Sequence, residues 1–319
     1  MASIAVIIVS YNTCLLLRAC LDSLANCTLP LRTVMVDNGS RDGSQAMVRA
    51  TFPEVELMET GANLGFAAGN NFGMRALGIG VTLASQAPGD PPEFILLLNP
   101  DTIVHVGAIE ALAAFLRAHP RVGVVGPRLL NVDGSVQPAA FRFPTMSMAA
   151  LDLFPPGEVL PGRLYGSWWH GRYAEERAGA APFAIDHPLG ACMLVRRAVV
   201  EQIGGMDEAF FMYSEEIDWC YRARKAGWAI WQEPAARVTH FGGAATSQFR
   251  GAMQIELWRS RAQFAHKHYG AGAARLLRLL LALGMLRQIL RDWLAFACRR
   301  LPLDALRERL WVYGQTLRV

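Results

Sequence analysis

The chain opens on a continuous apolar, β-branched run, Ile4 to Val9, of the length and character of a parallel strand buried on both faces. Ser10-Tyr11-Asn12 ends it, and Leu16, Leu17, Cys20, Leu21 and Leu24 then fall on one helical face, with Asn12 or Thr13 as the cap. Thr33 to Val36 predicts a second strand that stops at Asp37. Ser40 and Asp42 open a second helix, Val55 to Met58 is a short third strand, and a helix is predicted from about Ala67 to Leu77. The apolar stretch Glu93 to Leu98 predicts a strand that ends at Asn99-Pro100-Asp101. Between about Arg128 and Pro188 periodicity is lost and Pro, Gly and aromatic residues abound, Trp168-Trp169-His170 among them. This stretch is expected to form long loops that line an acceptor groove or pack on their own domain. Regular structure resumes with a strand at Ala191 to Val195, a helix at Arg197 to Ile203, a Gly204-Gly205 break, and a helix from about Glu215 to Ala226.

Alternation of strand and helix implies right-handed βαβ units: an α/β fold with a Rossmann-like, mostly parallel mixed sheet flanked by helices, and a C-terminal helical extension. Ligands of such sheets lie beyond the carboxyl ends of the strands. Ser10-Tyr11-Asn12, Asp37-Asn38-Gly39-Ser40 and Asn99-Pro100-Asp101 all sit at such ends, so three polar clusters are expected to converge.

With 319 residues and 52% hydrophobic content the chain can bury a large core, which excludes a disordered protein. The six cysteines form no CxxC pair and read as reduced thiols of a cytoplasmic protein. The first ten residues carry no basic leader and read as a strand rather than a signal peptide. The formal charge of +4 joins a slightly acidic body to a basic tail, residues 271–319, where nine Arg face Asp292, Asp304 and Glu308. In that tail the longest uncharged run, Leu279 to Leu286, is far below the ~20 apolar residues of a spanning helix. A peripheral contact with the inner face of the cytoplasmic membrane is one reading of it. Packing on the catalytic domain or on a second subunit, as a homo-oligomer, is the other. No nucleic-acid partner is expected.

Chemistry concentrates in four places. Asp101, at the end of a buried strand, is a candidate ligand for a divalent cation on a diphosphate, although Asn-Pro-Asp is also ordinary turn chemistry. Gly61, Gly65 and Gly69 allow close backbone approach to a ligand, and Asn63, Asn70 and Asn71 supply amide donors; a plain helix-entry loop is the alternative, and the spacing is not that of a dinucleotide fingerprint. Glu215, Glu216 and Asp218 fit a first helical turn, and Asp218 with Arg222 makes an i,i+4 pair. Yet Phe210 to Tyr213 lead into them, and apolar surroundings raise a carboxylate toward the range of a working base. His240, before Gly242-Gly243, closes a short predicted strand; with Asp101 it makes an imidazole and carboxylate pair suited to Mn²⁺.

In their order these segments resemble the inverting glycosyltransferases of family 2, GT-A fold, rhamnosyltransferase-like branch. The carrying residues are Val9-Ser10-Tyr11-Asn12, Val36-Asp37-Asn38-Gly39-Ser40, Asn63-Leu64-Gly65-Phe66-Ala67-Ala68-Gly69-Asn70, Leu98-Asn99-Pro100-Asp101, Gly204-Gly205-Met206-Asp207-Glu208, Glu215-Glu216-Ile217-Asp218 and His240, spread over residues 4 to 245. The resemblance implies a GT-A domain over 1–270, its nucleotide-sugar half 1–127 and its acceptor and catalytic half 128–270, followed by the tail. It implies that Ser10, Tyr11, Asn12, Asp37, Asn38, Asn63, Gly65, Asn70, Asn99 and Asp101 hold the nucleotide sugar, that Asp101 and His240 bind Mn²⁺ or Mg²⁺, and that Glu216 is the base, with Glu215 and Asp218 beside it. Two residues depart from the family pattern: its DXD motif reads Asn99-Pro100-Asp101, which leaves the metal fewer charged ligands, and Glu216 stands where Asp is common. The implied reaction moves a sugar, L-rhamnose from dTDP-rhamnose in this branch or a sugar from UDP, to a polysaccharide or lipid-linked glycan. A nucleotidyltransferase making nucleotide sugars is the competing enzyme class, but it calls for an N-terminal Gly-rich loop where Ser10-Tyr11-Asn12 stands. A catalytically silent glycan-binding protein would have no use for the acids at Asp101, Glu215, Glu216 and Asp218.

Overall fold

The computed structural model describes residues 4–79, 92–155, 167–243 and 249–319. It has two compact units: one of residues 1–143, 173–211 and 215–245, and a smaller one of residues 144–172, 212–214 and 246–319. Its first half runs β1 (Ile4–Ser10), α1 (Cys14–Leu24), β2 (Leu31–Asp37), α2 (Ser44–Thr51), β3 (Glu56–Glu59), α3 (Gly65–Ala76), β4 (Phe94–Leu98), β5 (Thr102–Val104), α4 (Ala108–Ala118) and β6 (Val122–Leu130). Next come β7 (Val136–Gln137), β8 (Ala140–Phe141), α5 (Met146–Leu153) in the smaller unit, α6 (Glu175–Ala178), β9 (Phe183–Ala184) and β10 (His187–Pro188). The remainder is β11 (Cys192–Arg196), α7 (Arg197–Ile203), α8 (Glu215–Lys225), β12 (Ala229–His240), α9 (Arg250–Ala297) and α10 (Leu303–Thr316).

The main sheet has the order β3-β2-β1-β4-β11-β6-β12-β5. Its first four strands are parallel; β11 runs antiparallel to both β4 and β6, while β12 is parallel to β6 and antiparallel to β5. The mixed sheet flanked by helices agrees with the sequence-based expectation. β1 shows why its run is apolar throughout: Ile4, Val6 and Ile8 enter one core with α1 and α4, and Ala5 and Ile7 enter the other with α3 and α8. A strand covered on both sides has no polar position to spare.

Three expectations need correction. Gly69 does not approach a ligand: with Gly73, one helical turn on, it brings α3 against β1, and a Cβ at either would lie 2.7 Å from Val9 or Ile7. The strand that His240 closes is twelve residues long, with an irregularity between Glu233 and Arg237 that accommodates Pro234, whose nitrogen cannot join the ladder. The stretch 128–188 is not all loop, since it holds β7 to β10, α5 and α6.

In the smaller unit α5, α9 and α10 enclose a core of Leu153, Trp258, Leu277, Leu281, Met285 and Tyr313. Asp292, buried in this unit, accepts hydrogen bonds from Tyr313 Oη at 2.9 Å and Arg309 Nη1 at 3.2 Å. α9 breaks at Gly270, where φ is 84°, a left-handed conformation that glycine adopts without a steric cost. The basic tail packs with α5 and with the part of α9 before Gly270, through Trp258, Ala262 and Ala265. No described helix is long and apolar enough to cross a membrane.

Candidate active site

The parallel strands β1, β2 and β4 end side by side, and the ends of β1 and β2 are wired to one another. Asn38 N donates to Ser10 O at 2.8 Å, Asn12 N to Ser40 Oγ at 3.0 Å, and Arg41 N to Asn12 Oδ1 at 2.8 Å. Asn12 reaches this last contact from a left-handed backbone (φ 52°), which Asn tolerates better than most residues. Ser10 Oγ shares a 2.8 Å hydrogen bond with Thr13 Oγ1, and Tyr11 is half-buried beside them. Asp37 is buried with Oδ2 accepting from Ser40 N (3.0 Å) and Gln45 Nε2 (2.7 Å); its Oδ1 is enclosed and has no hydrogen-bond partner among the described residues.

The asparagines of the Gly-rich segment spend polar groups inside the protein. Asn38 Nδ2 donates to Asn63 Oδ1 and to Gly65 O, while Asn38 Oδ1 accepts from Leu64 N. Asn70 Nδ2 caps Phe66 O one turn back at 2.9 Å. Asn71 clamps Met206 through both its amide groups and holds Glu208. Gly65 (φ 83°) lies so close to Phe211 that a Cβ would stand 2.2 Å from its carbonyl oxygen. These residues shape and fasten the loop that leads into α3, and a ligand there would meet a rigid rim.

At the end of β4, Asn99 N bonds Ala191 O (2.8 Å), and Asn99 O accepts from Thr102 Oγ1 (2.7 Å) and from the thiol of Cys20 (3.5 Å). Burial pushes that thiol up to about 12, so it stays a protonated donor beneath the turn. Asp101 comes next, directly before β5, and β5 pairs with the end of β12 so that His240 faces Thr102. That register places His240 Nε2 3.4 Å from Asp101 Oδ1, both residues buried. The other ring nitrogen, Nδ1, lies 2.7 Å from Gln137 Oε1. Gln137 Nε2 donates to Asn131 Oδ1 (2.9 Å) and His240 O (3.2 Å), which fixes Oε1 as the atom turned to the ring. Nδ1 then donates to Oε1, which leaves Nε2 as the ring nitrogen turned to the carboxylate, the arrangement of a ligand oriented from behind. Among the described residues no group of three or more His, Cys, Asp and Glu side chains could hold a metal, so Asp101 and His240 would leave most positions on a cation to oxygen atoms of a diphosphate and water.

The acids of α8 separate into distinct environments. Asp218 accepts from Arg222 Nε at 2.8 Å, and that guanidinium also donates to Ile203 O and Gly205 O, so this ion pair pins the Gly204-Gly205 turn to α8. Trp219 Nε1 adds a bond to Gly204 O. Glu215 is buried. Glu216 retains some exposure and packs its methylenes over Gly190, where a Cβ would lie 3.5 Å from Cγ. Burial pushes its carboxyl up to about 7, against the pull of the backbone N–H groups of Glu216 and Ile217, and Oε2 is enclosed with no hydrogen-bond partner among the described residues. Because Gly190 precedes Ala191, whose carbonyl binds Asn99, Glu216 lies on the same end of the sheet as the Asn99–Asp101 turn.

The structure thus brings Ser10, Asn12, Asp37 and Asn38 into one cluster and Asp101 and His240 into another, with Glu216 beside Gly190 at that same end, and it commits Asp218 to Arg222. Gln137 was not foreseen. It sits in a two-residue strand within a stretch of no clear periodicity, and a lone Gln carries no motif.

A mixed sheet of this order, with its polar side chains at the carboxyl ends of the parallel strands, is the GT-A architecture of glycosyltransferases that use nucleotide sugars. The sequence model of glycosyltransferase like family 2 matches residues 2–257, and the chain belongs to that family. The N-acetylglucosaminyl-diphospho-decaprenol L-rhamnosyltransferase of Mycobacterium tuberculosis is 34% identical over 221 residues, 69% of this chain and 69% of that protein. The low-salt glycan biosynthesis hexosyltransferase Agl10 of Haloferax volcanii is 28% identical over 229 residues, 70% of this chain and 63% of its own length. Among solved structures, a mannosyltransferase of Pyrobaculum calidifontis in complex with GDP-Man and Mn²⁺ superposes at TM-score 0.55 and 16% identity, over 99% of this chain and 86% of that one. GalNAc-T7, solved with UDP, GalNAc and Mn²⁺, gives TM-score 0.52 at 14% identity, over 75% and 43% of the two chains. These two likenesses are of fold.

Proposed function

We propose that this glycosyltransferase moves L-rhamnose from dTDP-rhamnose to a lipid-linked glycan acceptor, with inversion at the anomeric carbon. The donor and acceptor follow the name of the mycobacterial relative and the family resemblance. The observation that carries the mechanism is the approach of His240 Nε2 to Asp101 Oδ1 at the end of the sheet that also bears Glu216.

Asp37 Oδ1, buried and without a partner among the described residues, is suited to accept the imide N–H of a thymine or uracil base, which would satisfy an oxygen that otherwise costs ~1–3 kcal/mol to bury. Asp101 and the Nε2 lone pair of His240 would hold a divalent cation, Mn²⁺ or Mg²⁺, and Gln137 would keep the imidazole in the receptive tautomer. A cation bound there would neutralise the charge that gathers on the departing diphosphate. Glu216 takes the proton of the acceptor hydroxyl as that oxygen attacks the anomeric carbon from the face opposite the leaving group, the single-displacement geometry of inverting sugar chemistry. A carboxylate near neutrality suits this role, since a stronger acid would hold a hydroxyl proton too weakly.

Thermal melting in Mn²⁺ with a panel of dTDP- and UDP-sugars tests the donor. The true donor at a hundred times its dissociation constant is expected to add ~2.7 kcal/mol of stability, and dTDP-rhamnose is expected to give the largest shift. No shift with any nucleotide sugar would overturn the reading. For Gln137→Leu the expected result is Mn²⁺ binding weakened ~10- to 100-fold, read by calorimetry on the folded variant. Unaltered Mn²⁺ dependence would remove Gln137 from the site.

A further inference from the structure

The second half of α9 carries an apolar stripe that no described residue covers. Leu276, Leu279, Leu283, Leu286, Leu290 and Trp293 are each between 45% and 57% exposed. Their spacing alternates three and four residues, which keeps them on one face of a helix for about 26 Å. The opposite face is occupied: Leu277, Leu281 and Met285 are buried in the core of the smaller unit, and Gly284 lies against Leu153. Burial there accounts for the fold of the helix and leaves the outer leucines unexplained, because isolated exposed leucines are ordinary but a continuous row is not.

Charge decides what fits the row. The exposed ionisable side chains of this half of α9 are all cationic, Arg275, Arg278 and Arg291, with Arg299 and Arg300 just beyond its end. Its one acid, Asp292, is 1% exposed and bound to Tyr313 and Arg309, so it offers no counter-charge to a partner. A second copy docked through the same stripe would find no exposed acid on this half of α9 to pair with its arginines; the exposed acids of the unit, Asp304 and Glu308, lie on α10. An anionic lipid surface is complementary on both counts: leucine and tryptophan side chains enter the acyl boundary while the flanking guanidinium groups meet phosphate headgroups. We propose that the Leu276–Trp293 stripe docks this protein, in plane, on an anionic lipid bilayer. The proposal is independent of the donor and of the catalytic residues.

Sedimentation of the full chain with extruded vesicles tests it, using phosphatidylcholine alone and phosphatidylcholine with 30% phosphatidylglycerol. Binding to the anionic vesicles is expected to exceed binding to the neutral ones at least tenfold and to fall as salt is raised. The double variant Leu283→Glu with Leu286→Glu, at exposed positions, is expected to keep its melting temperature and lose vesicle binding at least tenfold; the milder Leu286→Ser serves if the pair fails to fold. Equal binding of wild type and variant to anionic vesicles, or no binding by wild type, overturns the proposal. So does a wild-type dimer in light scattering that the variant converts to monomer, since a second copy would then cover the row.

Discussion

Glu216→Gln is expected to lose about 10²- to 10⁴-fold of turnover while its affinity for the nucleotide sugar stays within about twofold, because the amide preserves shape but accepts no proton. Two pH profiles sharpen the test. The wild-type rate should rise with pH through about 7 as the carboxyl ionises, and the residual rate of the variant should lack that rise. Stability should move the other way. The folded carboxyl keeps its proton up to about 7 whereas an ordinary glutamate loses it near 4.5, so between these values the native state binds more protons than the unfolded chain. The contribution is therefore complete below about 4.5 and declines as pH rises through about 7, with a slope of at most ~1.4 kcal/mol per pH unit. Glutamine removes the slope, so melting curves recorded from pH 4 to 8 should show the variant gaining on the wild type as pH rises. Full turnover in the variant would move the base to another residue, and an unchanged melting profile would deny that Glu216 is the group that titrates.

Asp101→Ala is expected to abolish the Mn²⁺-dependent part of donor binding, a loss of at least ~10²-fold, since removing a ligand should exceed the 10- to 100-fold that loss of a residue behind a ligand brings. Calorimetry with the nucleotide sugar, with and without Mn²⁺, reads this directly. The variant should bind donor equally in both conditions, close to the metal-free affinity of the wild type. Retained metal dependence would place the cation elsewhere. His240, left without its carboxylate neighbour but still held by Gln137, should keep the strand end in place, so the melting temperature without ligands should change little.

Much of the fold was legible because β1, β4 and the second half of β2 are covered on both faces and have to be apolar, and because each strand stops abruptly at polar residues. Those stops also marked Asp37 and Asp101. Gly69 shows what a glycine alone can report: a missing Cβ says that something comes close, and here the neighbour is Val9 of β1. The amides of Asn38 and Asn71 show the same physics, since a buried amide needs partners whether a ligand or the chain supplies them, and here the chain supplies several. Pairing of Asp101 with His240 crosses the sheet through the β5–β12 register, a long-range contact that no local pattern encodes. Gln137 was invisible for the same reason.

β5 is three residues long and lies at the outer edge of the sheet, paired with β12 alone and fastened to α1 where Val104 N donates to Ser23 Oγ. Short edge strands resist unwanted pairing, but they also breathe at a lower free energy than the interior of a sheet. The aspartate and histidine are thus mounted at the margin of the sheet, on either side of its last strand pairing. Whatever bridges the two side chains would act as the stitch that closes this margin.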